Sequence, residues 1–197
     1  MKNKTRKIVI MGMISAVMLI MAYTPLGYLS IGPLAVTFNM IPVALAAILL
    51  GPVGGLTAGC IFGITSFLQC IGIGGTSAMG AVLFEISPFL SFVQRFVPRA
   101  VDGLLLGYIF RGAKRLTGNY AACTITGLCA AVINTVLFMG ALVLIFGKTE
   151  YVSGIMDGRG FIAFIAAFAG VNAIAEAVIS AIITGMVGNA LLRYIET

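Results

Sequence analysis

Apolar residues fill long stretches of the chain, and Gly and Pro cut these stretches at intervals suited to membrane helices. The pattern predicts helix 1 at roughly 8–23, helix 2 at roughly 36–50, helix 3 at roughly 53–71 and helix 4 at roughly 98–112. Helix 5 follows at roughly 119–146 and helix 6 at roughly 161–193. Between helices 3 and 4, residues 72–97 form an outer or interfacial segment. Its stretch 76–92 is apolar enough to embed, but Glu85, Ser87 and Pro88 argue against a full span. The expected fold class is an all-α integral membrane protein, a compact six-transmembrane-helix bundle forming a single transmembrane domain over 1–197.

Composition supports a bilayer as the main solvent. Hydrophobic residues make up 60% of the 197 residues and charged ones only 9%, with a mean hydropathy of +1.13. A soluble core needs far fewer apolar side chains than this. The basic N-terminus followed by an apolar run resembles a signal peptide. It lacks a small-x-small site before Thr24-Pro25-Leu26-Gly27, so it reads as a retained helix.

The net charge of +6 is distributed as topology and not as a nucleic-acid surface. Placing both termini in the cytoplasm puts Lys2, Lys4, Arg6, Lys7, Arg111, Lys114, Arg115 and Arg193 inside, as the positive-inside rule favours. Loops 24–35, 72–97 and 147–160 then face outward at the cell membrane, and substrate loops are expected there. Cys60, Cys70, Cys123 and Cys129 show no Cys-x-x-Cys spacing, and the chain has no histidine. This speaks for free thiols and against a metal site or a histidine-based catalytic centre; no cofactor is expected.

Polar residues within spans are costly unless paired or facing a cavity, and here they gather at overlapping depth. Thr37 and Asn39 open helix 2, and Thr65, Ser66 and Gln69 close helix 3. Arg99 and Asp102 open helix 4, Asn134 and Thr135 lie midway in helix 5, and Asn172, Glu176 and Ser180 line helix 6. Each singly reads equally well as helix–helix glue, and Arg99 and Asp102 are spaced to pair with each other. Their convergence favours a binding pocket opening outward.

Small residues recur beside the polar ones. Ala169, Ala173, Ala177, Ala181 and Gly185 form a stripe next to Asn172, Glu176 and Ser180, and Gly55, Gly59 and Gly63 form another on helix 3. Both read as close helix packing. Gly12 and Ala16 form a weaker pair on helix 1, suited to internal packing or to docking a second membrane protein. Gly72-Ile73-Gly74-Gly75-Thr76-Ser77 resembles a phosphate loop without its lysine, so no ATP site is encoded.

Together, several stretches resemble the substrate-specific (S) components of energy-coupling factor (ECF) vitamin importers. They are Thr24-Pro25-Leu26-Gly27-Tyr28, Ile31-Gly32-Pro33, Ile41-Pro42, Leu50-Gly51-Pro52, Phe62 through Phe67, Val97-Pro98-Arg99 with Gly103, and Val171-Asn172 with Glu176. The segment from helix 1 to helix 3 is most similar to the pantothenate-type members. The resemblance implies outer loops that close over a water-soluble vitamin. It also implies docking, through the helix 1 face of Gly12 and Ala16, onto a transmembrane coupling protein driven by two ATPase subunits.

Pantothenate carries a carboxylate, an amide and two hydroxyls. Arg95 or Arg99 suits the carboxylate; Asn39, Gln69, Asn134 and Asn172 suit the amide and hydroxyls, with Glu176 accepting from a hydroxyl. Tyr28, Thr37 and Ser66 complete the expected binding set. A flat vitamin such as riboflavin would lean instead on Tyr28, Phe38 and Phe67. An enzyme acting on lipid, with Glu85, Asp102 or Glu176 as acid or base, lacks the usual clustered carboxylates. A structural subunit without ligand leaves the polar belt unexplained.

Overall fold

A computed structural model describes residues 2–24, 28–31, 34–74, 77–158 and 160–196. Within these it describes side chains except at residues 2, 3, 28–31, 34–36, 161, 162, 164–169, 171, 172, 195 and 196. The described elements are α1 (Lys2–Tyr23), β1 (Tyr28–Ile31), β2 (Leu34–Thr37), α2 (Met40–Leu68) and a 3₁₀ turn (Gln69–Ile71). They continue with α3 (Ala78–Ile86), α4 (Pro88–Leu116), α5 (Asn119–Phe146), α6 (Glu150–Met156) and α7 (Phe161–Glu196). Among the described residues, four helical stretches are long and apolar enough to cross a membrane: Lys4–Tyr23, Met40–Ile71, Asn119–Phe146 and Ala173–Tyr194. The protein is therefore built as an integral membrane protein with several apolar helices.

α2 is two arms. Gly51 leaves the helical region at φ 77, ψ −167, with Pro52 immediately after it, a backbone position that glycine tolerates and other residues resist. A Cβ built on Gly55 would meet the Ala47 Cβ at 2.9 Å, although residues eight apart in a straight helix are about 12 Å apart. The chain thus folds back at Gly51, and residues 40–50 pack against residues 52–68.

Glycines also set the tightest helix contact. A Cβ on Gly55 would overlap the Gly103 carbonyl, and a Cβ on Gly103 would overlap the Gly55 carbonyl. Gly59 meets the Arg99 carbonyl in the same way and Gly63 approaches Phe96. The Gly55, Gly59 and Gly63 stripe therefore lets the backbones of α2 and α4 touch. On α7, Ala177 and Ala181 are buried and Gly185 abuts Thr124 of α5.

α4 begins at Pro88 and carries Pro98 in its interior, a correction to the expected start near 98. Ser87 caps it, accepting a hydrogen bond from the Leu90 N–H, with Pro88 at a position where its missing N–H costs nothing. Residues 78–86 form α3, capped by Ser77, which accepts from Gly80 N–H at 3.2 Å. Phe84, Phe67, Phe92 and Phe96 lock α3 onto α2 and α4, with successive ring centroids 5.9, 5.2 and 5.0 Å apart.

Three apolar clusters stack along the bundle. Ile48, Phe110, Ala122, Cys123 and Leu192 fill one end, and Met18, Met40, Val43, Phe62, Leu106 and Ala130 lie in the centre cluster. Leu83, Met139, Leu142, Phe146 and Val152 fill the other end beneath α3 and α6. All four cysteines are free, with Cys70 and Cys123 buried.

Candidate functional site

The segment between α1 and α2, expected as a plain loop, contains an antiparallel β-hairpin in which Tyr28 pairs with Thr37 and Ile31 with Leu34. β2 packs on α7. Thr37 is the last residue of β2, and its N–H donates to Glu176 Oε1 at 2.6 Å. A membrane-depth carboxylate thereby gains the partner it requires and ties the hairpin to α7.

Asn39 follows directly. It sits at the N-terminus of α2, where its side chain caps no helix N–H. It is only 1% exposed, yet among the described residues neither its side-chain amide nitrogen nor its amide oxygen has a hydrogen-bond partner. An unsatisfied buried amide costs on the order of 1–3 kcal/mol, which makes a partner for these atoms valuable. Asn134 is buried on α5 and its Oδ1 is likewise unsatisfied.

The two arginines bridge elements. Arg95 is buried; its Nη1 donates to Ser66 Oγ at 3.2 Å and its Nη2 to Ser77 Oγ at 3.0 Å, joining α4 to α2 and to the start of α3. Arg99 donates from Nη1 to the Arg95 carbonyl at 2.8 Å. Its guanidinium lies 4.5 Å from the Phe62 ring centroid and 4.7 Å from that of Phe138. Sandwiching a cation between aromatic faces offsets part of the cost of burying it.

Arg99 also lies within Coulombic reach of Glu176 and Asp102, so its charge links α4 to the hairpin latch. Arg99 and Asp102, spaced to pair, do interact through their charges. Asp102 is fully buried, and among the described residues neither carboxylate oxygen accepts a hydrogen bond.

Of the ten expected binding residues, Thr37, Asn39 and Glu176 thus gather at the hairpin, and Ser66, Arg95 and Arg99 form an adjoining network. Gln69 is buried and its Nε2 donates to the Ala22 carbonyl at 2.9 Å, fastening the end of α2 to that of α1. The side chains of Tyr28 and Asn172 lie outside the described residues. Sequence reasoning missed Phe62, Phe138 and Ser77. Phe62 stands four residues before Ser66 and Phe138 four after Asn134, so a search for aromatics one turn from each polar residue would have found both.

A groove that the described residues outline lies at the opposite end of the bundle and contains none of these residues. It is lined by Lys7, Met11, Gly12, Leu50, Gly54 and Arg111, among others. Among the described residues no cluster of histidine, cysteine, aspartate or glutamate is arranged to hold a metal ion.

Residues 6–188 match the family described as ECF transporter, substrate-specific component. The chain belongs to that family. No curated relative matches the chain significantly. ECF substrate-specific components are binding and transport subunits, not enzymes, and work with an ECF module on a small substrate. For this S component, the family accounts for the apolar helices and gives the buried polar residues of the hairpin end a context in substrate uptake.

Proposed function

We propose that this S component binds a water-soluble vitamin, with pantothenate the best chemical match, beneath the β1–β2 hairpin. It then presents the vitamin for import through a transmembrane coupling protein driven by two ATPase subunits. In this reading the chain crosses the membrane six times, through α1, the two arms of α2, α4, α5 and α7. The hairpin, α3 and α6 face outward, and both termini are cytoplasmic at the cell membrane.

The observation that carries the proposal is Asn39: buried, with both side-chain amide atoms unsatisfied among the described residues, and next in line to the hairpin latched by Glu176. A hydroxylated amide ligand would satisfy both atoms. Arg99 supplies a fixed cation for the vitamin carboxylate, with Arg95 and Ser66 behind it. Asn134, Asn172, Thr37, Gln69 and Tyr28 complete the proposed site. Riboflavin is the weaker match, because Phe67, one of the three aromatics it would use, already packs against Phe84 and Phe92.

The test is a panel of water-soluble vitamins against purified protein, read by thermal stability. Pantothenate is expected to stabilise it, and the shift should be lost in Asn39→Ala. Failure of every vitamin in the panel would refute the assignment.

Docking is proposed on α1, where Ala16 is exposed and no atom lies within 4 Å of a Cβ placed on Gly12. A neighbouring backbone could approach such a face closely.

A further inference from the structure

The groove at the end opposite the hairpin has an uneven lining. Ile8, Met11, Leu50 and Val53 supply apolar walls, and its hydroxyls are already spent. Ser15 donates to the Met11 carbonyl at 2.8 Å and Thr57 to the Val53 carbonyl at 2.8 Å. The floor is formed by Gly12 and Gly54, and the volume is about 800 Å³. Such a wall offers nothing to a polar solute and suits an acyl chain.

Its polar content is cationic. Lys7 and Arg111 both line the groove and both are exposed, and among the described residues neither has a hydrogen bond or ion pair. Arg111 is held over the turn between the arms of α2, since a Cβ on Gly51 would meet its Nη2 at 2.9 Å. The first turn of the second arm, at Val53 and Gly54, opens into the same groove, adding the positive end of a helix dipole to the two side chains. Among the described residues no acidic one lines it.

We infer that this groove is a site for one anionic phospholipid, its headgroup between Lys7 and Arg111 and an acyl chain along Ile8, Met11, Leu50 and Val53. Charge complementarity selects the occupant: two cations at the rim of an apolar channel between membrane helices match a lipid phosphate with its chain. A zwitterionic lipid carries a compensating cation that the rim would repel. The inference rests on the membrane setting of the helices and is independent of which vitamin is bound.

Phosphatidylglycerol and phosphatidylcholine with identical chains, titrated into the purified full-length protein in neutral detergent, test it by native mass spectrometry. Phosphatidylglycerol is expected to bind more tightly. Lys7→Gln and Arg111→Gln are each expected to weaken it roughly 5-fold, the equivalent of about 1 kcal/mol per basic residue. Gly12→Leu, which points into open space, fills the groove and should weaken binding of phosphatidylglycerol with the fold intact. Equal binding of the two lipids, or a preference that survives the Lys7→Gln/Arg111→Gln double variant, would overturn the proposal. So would competition by inorganic phosphate alone at the same concentration, which would make this a free-anion site.

Discussion

The backbone N–H of Thr37 and the Glu176 carboxylate meet at 2.6 Å across 139 residues of sequence, fastening the end of the β1–β2 hairpin to α7. A hydrogen bond to a charged acceptor contributes about 1.5–3 kcal/mol. The hairpin has only two strands, and an isolated two-stranded hairpin is marginal in water, so this latch is a main determinant of whether it stays closed.

Removing the acceptor should therefore open the hairpin without unfolding the bundle. Glu176→Ala is expected to speed amide exchange at Thr37 roughly 10- to 100-fold, the kinetic equivalent of that hydrogen bond. Exchange within residues 52–68 should be unchanged. Hydrogen exchange by mass spectrometry reads both, and an unaltered rate at Thr37 would show that the hairpin is held by other contacts.

Glycine substitutions separate packing from docking. Gly103→Ala drives a methyl into the Gly55 carbonyl and should cost about 1–3 kcal/mol, seen as a lower melting temperature. Gly12→Ala meets nothing within 4 Å and should leave the melting temperature unchanged. Equal effects of the two would contradict the backbone contact between α2 and α4.

On α1, Ala16 lies outside the basic groove, so a change there probes docking alone. Ala16→Leu is expected to abolish vitamin uptake by cells while leaving binding to the purified protein within about 2-fold, since an exposed substitution remote from the site shifts free energy by at most a few tenths of a kcal/mol. Loss of binding would refute the docking role; normal uptake would do the same.

Arg99 is proposed as the anchor for the ligand carboxylate. Arg99→Met keeps length and apolar contact with Phe62 and Phe138 but removes the charge. Vitamin affinity is expected to fall on the order of 10- to 100-fold, as for loss of a charge-assisted hydrogen bond. Arg99→Lys should recover only part, because a compact ammonium neither forks nor stacks between two rings. An unchanged affinity in Arg99→Met would move the carboxylate elsewhere, with Arg95 the alternative.

Much of this was legible from hydropathy and punctuation. Gly51-Pro52 announced the turn between the arms of α2, and the stripe of Gly55, Gly59 and Gly63 announced a close backbone contact without naming α4 as its partner. The same punctuation misled at α4. Proline suits a helix start, which favours a start near Pro98, whereas packing against α2 tolerates it inside the helix and Ser87-Pro88 is the true start. The hairpin at residues 28–37 was hidden because two four-residue strands have no periodicity long enough to detect. Depth in the spans marked Asn39 and Glu176 as residues of interest, but their partners lie on other elements. The Glu176 latch, the Arg99 sandwich and the unpaired amide of Asn39 became visible only once those elements were packed together.

Calorimetric titration of pantothenate into purified wild-type protein and Asn39→Ala is the most direct measurement. The account predicts submicromolar affinity, about −8 kcal/mol or stronger, weakened at least about 10-fold when the buried amide is removed. Equal affinity in the two proteins, or no heat of binding for wild type with pantothenate or any other water-soluble vitamin, would contradict a vitamin site beneath the hairpin.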